Sequence, residues 1–186
     1  MPTKLEIFLK LSSTLAVLPR SLQFAIQASY ISAGFELTEV PKHERESKEY
    51  HAYRFSLGNK KIVYRDAKTT PTKVGQFVTI WKRPSPSSTI IPFEIIDAID
   101  FIVIGVADTT HVGQFVFDKE VPVRKGLISC RERYGKLAFR IYPPWTHPTV
   151  KSAIKAQEWQ LSHFFELQPN LSQVTLIREL FHRGTG

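Results

Sequence analysis

Phe101-Ile102-Val103-Ile104-Gly105-Val106 is the stretch whose reading decides the fold: six residues without a polar side chain, with Asp100 before them and Asp108 just beyond. Even extended to Ala107, this longest apolar run is far below the roughly 18 residues that cross a bilayer. It has the length of a strand, and a strand apolar on both faces belongs at the centre of a sheet covered on both sides. Working upstream, Tyr53, Phe55 and Leu57 alternate with Arg54 and Ser56, the period of a half-buried strand. Gly58-Asn59 supplies a hairpin turn, and Lys61 to Arg65 is the return strand. Thr69 to Lys73 reads as a Pro-containing loop, Gly75 to Trp81 as a further strand, and Arg83 to Thr89 as a surface loop. Downstream, Phe115 to Phe117 and Leu137 to Tyr142 complete the strands.

Both ends of the chain read as helix. Leu22, Ala25, Ile26 and Ser29 recur at helical spacing within Pro19 to Ser32, and Gly34 is the stop. A charged connector, Val40 to Glu49, follows. From Val150 the positions Ile154, Leu161, Phe164 and Phe165 gather on one helical face, with Trp159 opposite and Lys151 and Lys155 near it. Asn170 with Gln173 resembles a capping box for a last helix through Leu176, Ile177, Leu180 and Phe181. Strands flanked by helices predict an α+β single domain with a central mixed or largely antiparallel sheet. One tetrapeptide recurs, Gly75-Gln76-Phe77-Val78 and Gly113-Gln114-Phe115-Val116. With nothing similar around it, the echo reads as two strands needing similar starts.

Composition bounds what such a domain does. The 186 residues are 42% hydrophobic, with 13 Phe, 6 Tyr and 3 Trp, enough for one substantial core. The apolar patch Leu15 to Leu18 is flanked by Glu6, Lys10 and Ser12-Ser13-Thr14, a poor secretory signal. Cys130 is the sole cysteine, which excludes an internal disulfide and a multi-Cys zinc site. A cytoplasmic protein with no membrane partner is therefore expected. Neither a Walker pattern nor G-x-G-x-x-G occurs, and the six His lack metal-ligand spacing.

The formal charge is +8 and the pI near 9.6, which favours acidic partners, nucleic acid first among them. The charge is unevenly placed. Lys60, Lys61, Arg65, Lys68, Lys73, Lys82 and Arg83 face only Asp66 in their stretch. Arg124, Lys125, Arg131, Arg133, Lys136 and Arg140 outweigh Glu120 and Glu132. Between the two stretches lie Glu94, Asp97, Asp100 and Asp108 without a Lys or Arg.

Several blocks, taken in order, resemble the MepB-like family. They are Arg65, Ala67-Lys68, Thr70 through Val78, Trp81-Lys82-Arg83, Pro92-Phe93 with Asp97 and Asp100-Phe101, Gly113 through Phe117, Lys125-Gly126, Arg140 through Trp145, and Ala156 through Gln160. The resemblance spans 18–167, leaving 1–17 as an N-terminal extension and 168–186 as a C-terminal helical extension. One departure is Asp118, where the family pattern has a Pro before Lys119. The resemblance implies a small cytosolic protein that binds nucleic acid, with a fold related to restriction endonucleases.

The residues expected to carry binding follow. Lys68, Thr70, Thr72 and Lys73 cluster on a loop suited to phosphate oxygens, and Gln76 and Gln114 are amides that can reach a base edge. Lys82, Arg83 and Arg140 add charge. Trp145, in the stiff Tyr142-Pro143-Pro144-Trp145 segment beside Arg140, can stack on a base, and Lys151 and Lys155 can follow a backbone. For each, the plainer alternative is a solvated lysine or a buried aromatic anchor. The expected partner is nucleic acid, DNA in particular, with no cofactor. The other reading is a nuclease: Asp66-Ala67-Lys68 fits the D-x-K half of the restriction-enzyme pattern, with Asp66 as a Mg²⁺ ligand, Lys68 near the phosphate, and Glu44, Glu46 or Glu49 as the second acid.

Overall fold

One strand pair builds two cores. Along Lys60–Asp66 (β3) and Phe101–Ala107 (β8), Ile62, Tyr64, Phe101 and Val103 face one side of the sheet, while Val63, Ile102, Ile104 and Val106 face the other. β8 is buried from Phe101 to Val106, as its apolar run predicts. The computed structural model describes residues 15–44, 48–167 and 173–182.

The main sheet has six strands in the order β1-β2-β3-β8-β9-β11. β1 is Leu37–His43, β2 Tyr53–Leu57, β9 Val112–Asp118 and β11 Phe164–Glu166. All its neighbours are antiparallel except β3 and β8, which run parallel with Tyr64 opposite Val103 and Asp66 opposite Gly105. Its first face is covered by helix α1 (Arg20–Phe24, continuing as a π-helical turn over Ala25–Tyr30) and by α4 (Val174–His182). Tyr30, Phe35 and Phe101 pack their rings against Phe181. Ile177, Leu180 and Phe181 are buried, each contributing about 1.5–3 kcal/mol of apolar transfer, so the C-terminal segment is part of the core.

The second face lies under a smaller sheet in the order β10-β5-β4, made of Ala138–Ile141, Lys73–Thr79 and Lys68–Thr70. A two-stranded piece, β6 (Trp81–Lys82) with β7 (Ile91–Pro92), continues it. Val78, Ile80, Phe93 and Ile141 turn inward onto Ile102, Ile104 and Phe115. Two short segments link the strands: a 3₁₀ turn at Lys48–Tyr50 and α2 at Glu120–Arg124. No helix among the described residues is long and apolar enough to cross a membrane.

Three expectations are corrected. The first four residues of the charged connector, Val40 to His43, belong to strand β1, which pairs His43 with Tyr53 and Leu37 with Leu57. Its charges and Pro41 suit an outer strand, where they discourage further pairing. The loop Thr69 to Lys73 is mostly the paired ends of a hairpin, with Thr70 opposite Lys73. The last long helix, α3 (Lys151–Leu161), ends before the two phenylalanines, which lie on β11. Consequently Ile154 and Leu161 are exposed while Gln160 is buried and Trp159 packs on Phe117, the reverse of the predicted face. Asp118, the departure from the family pattern, accepts the N–H groups of Glu120 and Val121 at 3.1 and 3.3 Å, turning the chain into α2. Asn170 of the proposed capping box lies outside the described residues.

Candidate functional site

The outer face of the smaller sheet carries a row of cations and rings. Gln76, Val78 and Ile80 point inward, so by strand alternation Phe77 points out. Across the sheet Phe77 is opposite Lys68 on β4 and Arg140 on β10, which puts all three on that face. The Arg140 guanidinium lies 5.9 Å from the Phe77 ring centre, Tyr50 meets Phe77 edge-on at 6.3 Å, and Lys68 Nζ lies 4.9 Å from the Tyr50 ring centre. The order is therefore cation, ring, ring, cation. Arg140 also fixes the hairpin tip, donating to Thr70 Oγ1 at 2.6 Å and to the Gly75 carbonyl at 3.0 Å. Exposed Thr72 and Lys73 sit at that tip.

Lys68 also belongs to a second feature, a cavity of about 190 Å³ where β3 and β8 end, lined by Ser21, Glu49, His51, Asp66, Lys68 and Gly105 among others. A ligand site at the carboxyl ends of parallel strands is the common arrangement in open sheets. His51 Nδ1 lies 2.7 Å from Asp66 Oδ2, the Tyr64 hydroxyl donates to Asp66 Oδ1, and Ser21 Oγ is 3.2 Å from the Tyr64 oxygen. The hydrogen bond to Asp66 raises the His51 pKa above its ordinary value. Burial raises that of Tyr64 well above the phenolic range, so Tyr64 stays protonated and donates. Lys68 stands 3.8 Å from Glu49.

Other predicted residues lie elsewhere. Gln76 and Gln114 are buried rather than available to a base edge: Gln76 donates to the Ala107 carbonyl at 2.6 Å, and Gln114 accepts from Tyr30. Both amides tie layers together. Lys82 reaches Glu94 at 2.7 Å and also Asp97. Burial disfavours its charge, but the hydrogen bonds it donates to Asp97 and Glu94 outweigh that and raise its pKa. Glu94 and Asp97 of the acidic insert are thus the counter-charge of Lys82, and a cation so paired is poorly placed for phosphate. Arg83 donates to the Ser88 carbonyl and lies over Trp81. Trp145 is half-buried, stacked on His111 at 4.9 Å and edge-on to Phe164 at 5.7 Å. Lys151 and Lys155 are exposed on α3.

Tyr50, His51, Tyr64 and Phe77 were absent from the sequence-derived set. Glu49-Tyr50-His51 could have been noticed as a polar-aromatic triplet just ahead of a strand, but only the fold brings it to Asp66 and Lys68. A Mg²⁺ pair built on Asp66 and Glu49 does not fit this donor set. Both Asp66 oxygens accept hydrogen bonds, Glu49 leans on Lys68, and no cluster of three His, Cys, Asp or Glu among the described residues could hold a metal ion.

A family model described as MepB-like matches residues 44–166. The chain is similar to a solved structure described as the crystal structure of MepB, at 34% identity and a TM-score of 0.66, covering 69% of this chain and 85% of that one. No curated protein matches.

Proposed function

The chain belongs to the MepB-like family, and from that premise we propose that it binds nucleic acid, laying a strand with unpaired bases over the outer face of the smaller sheet. The observation that carries the reading is the row Arg140, Phe77, Tyr50, Lys68. Rings accept bases by stacking without regard to sequence, and flanking cations meet the phosphates. Lys73 and Thr72 at the hairpin tip extend the phosphate contacts. The net charge of +8 supports the same reading by drawing a polyanion to the surface.

Titration of a fluorescent oligonucleotide over a salt series tests the proposal. Log affinity falls linearly with log salt, and single strands bind tighter than the matching duplex. Replacing Lys68 and Lys73 together by Ala reduces the slope by about one per lost phosphate contact. Weak binding that ignores salt, or a double variant with an unchanged slope, defeats the proposal.

A further inference from the structure

We propose that the cavity at the ends of β3 and β8 is a proton-transfer site that cleaves RNA, with His51 as the general base. The inference rests on the nucleic-acid reading, since Lys68 belongs both to the row that would hold the strand and to the wall of the cavity.

The geometry is that of an oriented base. Asp66 accepts from Tyr64 at one oxygen and faces His51 Nδ1 at 2.7 Å with the other. Because Tyr64 is buried and protonated, it fixes the carboxylate, and the carboxylate in turn fixes the imidazole. The proton then sits on Nδ1 and leaves Nε2 basic. The Asp66 hydrogen bond raises the affinity of His51 for a proton, while Lys68 opposes that rise and Glu49 and Tyr64 also border the cavity or the relay. Two backbone features agree. His51 has φ +42°, the one positive φ outside glycine among the described residues, a strained conformation of the kind that clusters at working sites. Opposite Asp66 on β8 is Gly105, where an added Cβ would overlap Asp66 Oδ1 and the Tyr64 hydroxyl. A relay used only to pin a turn would not require its base to be left half-exposed, yet the His51 side chain is 53% exposed.

RNA is the substrate class this site can serve. Proton transfer by one positioned side chain supplies only about 10²–10⁴-fold. Hydrolysis of DNA would also require an external water to be held and activated. RNA carries its own nucleophile beside the phosphate, and such intramolecular attack has an effective molarity of about 10⁵–10⁸ M when well oriented. His51 Nε2 takes the proton of the 2′-hydroxyl, and O2′ forms a bond to phosphorus. The bond from phosphorus to O5′ breaks with its electron pair, and Lys68 gives that oxygen a proton. The products are a 2′,3′-cyclic phosphate and a 5′-hydroxyl. The proton on His51 returns to Lys68 through solvent, so no co-reactant is consumed. The Lys68 cation also offsets the charge that builds on the phosphate oxygens.

The test uses the full chain in excess EDTA with an end-labelled RNA, its DNA counterpart and the same RNA 2′-O-methylated. Binding is read on all three strands and cleavage by gel. The expected result is binding of all three, with cleavage of unmodified RNA alone and products ending in cyclic phosphate. His51→Gln lowers the cleavage rate about 10²-fold or more. Asp66→Asn lowers kcat and moves the acidic limb of the pH profile to lower pH, since the lost hydrogen bond no longer raises the His51 pKa; a merely structural Asp66 would leave that limb in place. If all three strands bind and unmodified RNA stays intact, the inference falls while the binding reading stands. Cleavage of the 2′-O-methylated strand, or an unchanged rate in His51→Gln, also overturns it. If no strand binds, both readings fall. The methylated-strand comparison is made on the unaltered protein, so it decides the question even where a variant does not fold.

Discussion

The tetrapeptide Gly-Gln-Phe-Val occurs twice, in β5 at 75–78 and in β9 at 113–116, and the two copies do the same work up to the third residue. Each glycine lies beneath an aromatic ring of the antiparallel neighbour. A Cβ on Gly75 would fall 2.6 Å from the Tyr142 ring and 2.9 Å from the Ile141 carbonyl; one on Gly113 would overlap the Phe164 ring and lie 2.9 Å from the Phe165 carbonyl. Each glutamine is buried and hydrogen-bonds to another part of the chain, Ala107 for Gln76 and Tyr30 for Gln114. The phenylalanines then part company. Phe115 is fully buried among Phe117 and Phe164, because β9 has packed layers on both sides. Phe77 is half-buried between two cations, because β5 has a core on one side only. Identical residues thus serve as core in one layer and as presented surface in the other, and layer position alone decides which.

The largest expected effect is on stability. Phe115→Ala removes a fully buried ring and costs about 3–5 kcal/mol, whereas Phe77→Ala costs well under half of that. Urea unfolding of the two variants measures the difference, and equal losses would erase the distinction between the copies. Next come the glycines. Gly75→Ala and Gly113→Ala both force a ring aside, at about 1–3 kcal/mol for such overpacking. Gly75 has φ +79° as well, which adds about 1–2 kcal/mol for any residue with a Cβ. Thermal melts should therefore rank Gly75→Ala below Gly113→Ala; the opposite order would mean that the backbone at Gly75 relaxes.

A third effect bears on binding. Tyr50→Ala removes one ring of the outer row and weakens single-strand binding by about 1–3 kcal/mol, the contribution of one stacked base. His111→Ala, at the Trp145 stack outside the row, leaves affinity unchanged. If the two variants lose affinity alike, the row is not the contact surface. The smallest effect is a pH dependence. His51 has its folded pKa raised above the ordinary 6.5 by Asp66. A raised folded pKa stabilises the protein fully below the unfolded value, and that stabilisation disappears as pH rises through the folded one. The melting temperature should therefore fall as pH rises from about 6.5 through the raised folded value, and the fall should flatten in His51→Gln. An equally steep fall in that variant would place the titration elsewhere.

How much of this was legible in the chain depends on whether a signal was local. The burial of β8 on both faces was, since Phe101 to Val106 contains nothing polar. So was the hairpin at Gly58-Asn59, which joins β2 and β3 in register, Leu57 opposite Lys60. β1 was hidden because charges suited to an outer strand look like a solvated connector. β11 was hidden because Phe164 and Phe165 fit a helical period that stops at Leu161. At the site, Asp66 and Lys68 drew notice through their spacing, and their placement on one cavity wall follows from β3 passing directly into β4. His51 lies 15 residues from Asp66, and the bond between them exists only after β2 and β3 pair. Gln76 and Gln114 illustrate the converse: an amide suits a base edge or a buried layer equally, and residue type carries no information on which.

The order in which the layers are completed has a consequence for the nascent chain. β2 with β3, and β8 with β9, are neighbours in sequence and can form early, whereas Arg140 meets Thr70 across 70 residues. Contacts so distant along the chain close slowly, after local ones are in place. During synthesis the central sheet can begin to pair while β5 still lacks its partner β10, with Val78 and Ile80 uncovered on their way to the second core. The outer row is therefore completed only once Ala138–Ile141 has been made and has paired with β5. A ribosome-stalled fragment ending before residue 138 would expose the apolar inner side of β5 and hold Lys68, Tyr50 and Phe77 without Arg140, so the arrival of one short strand completes both faces of the smaller sheet in a single step.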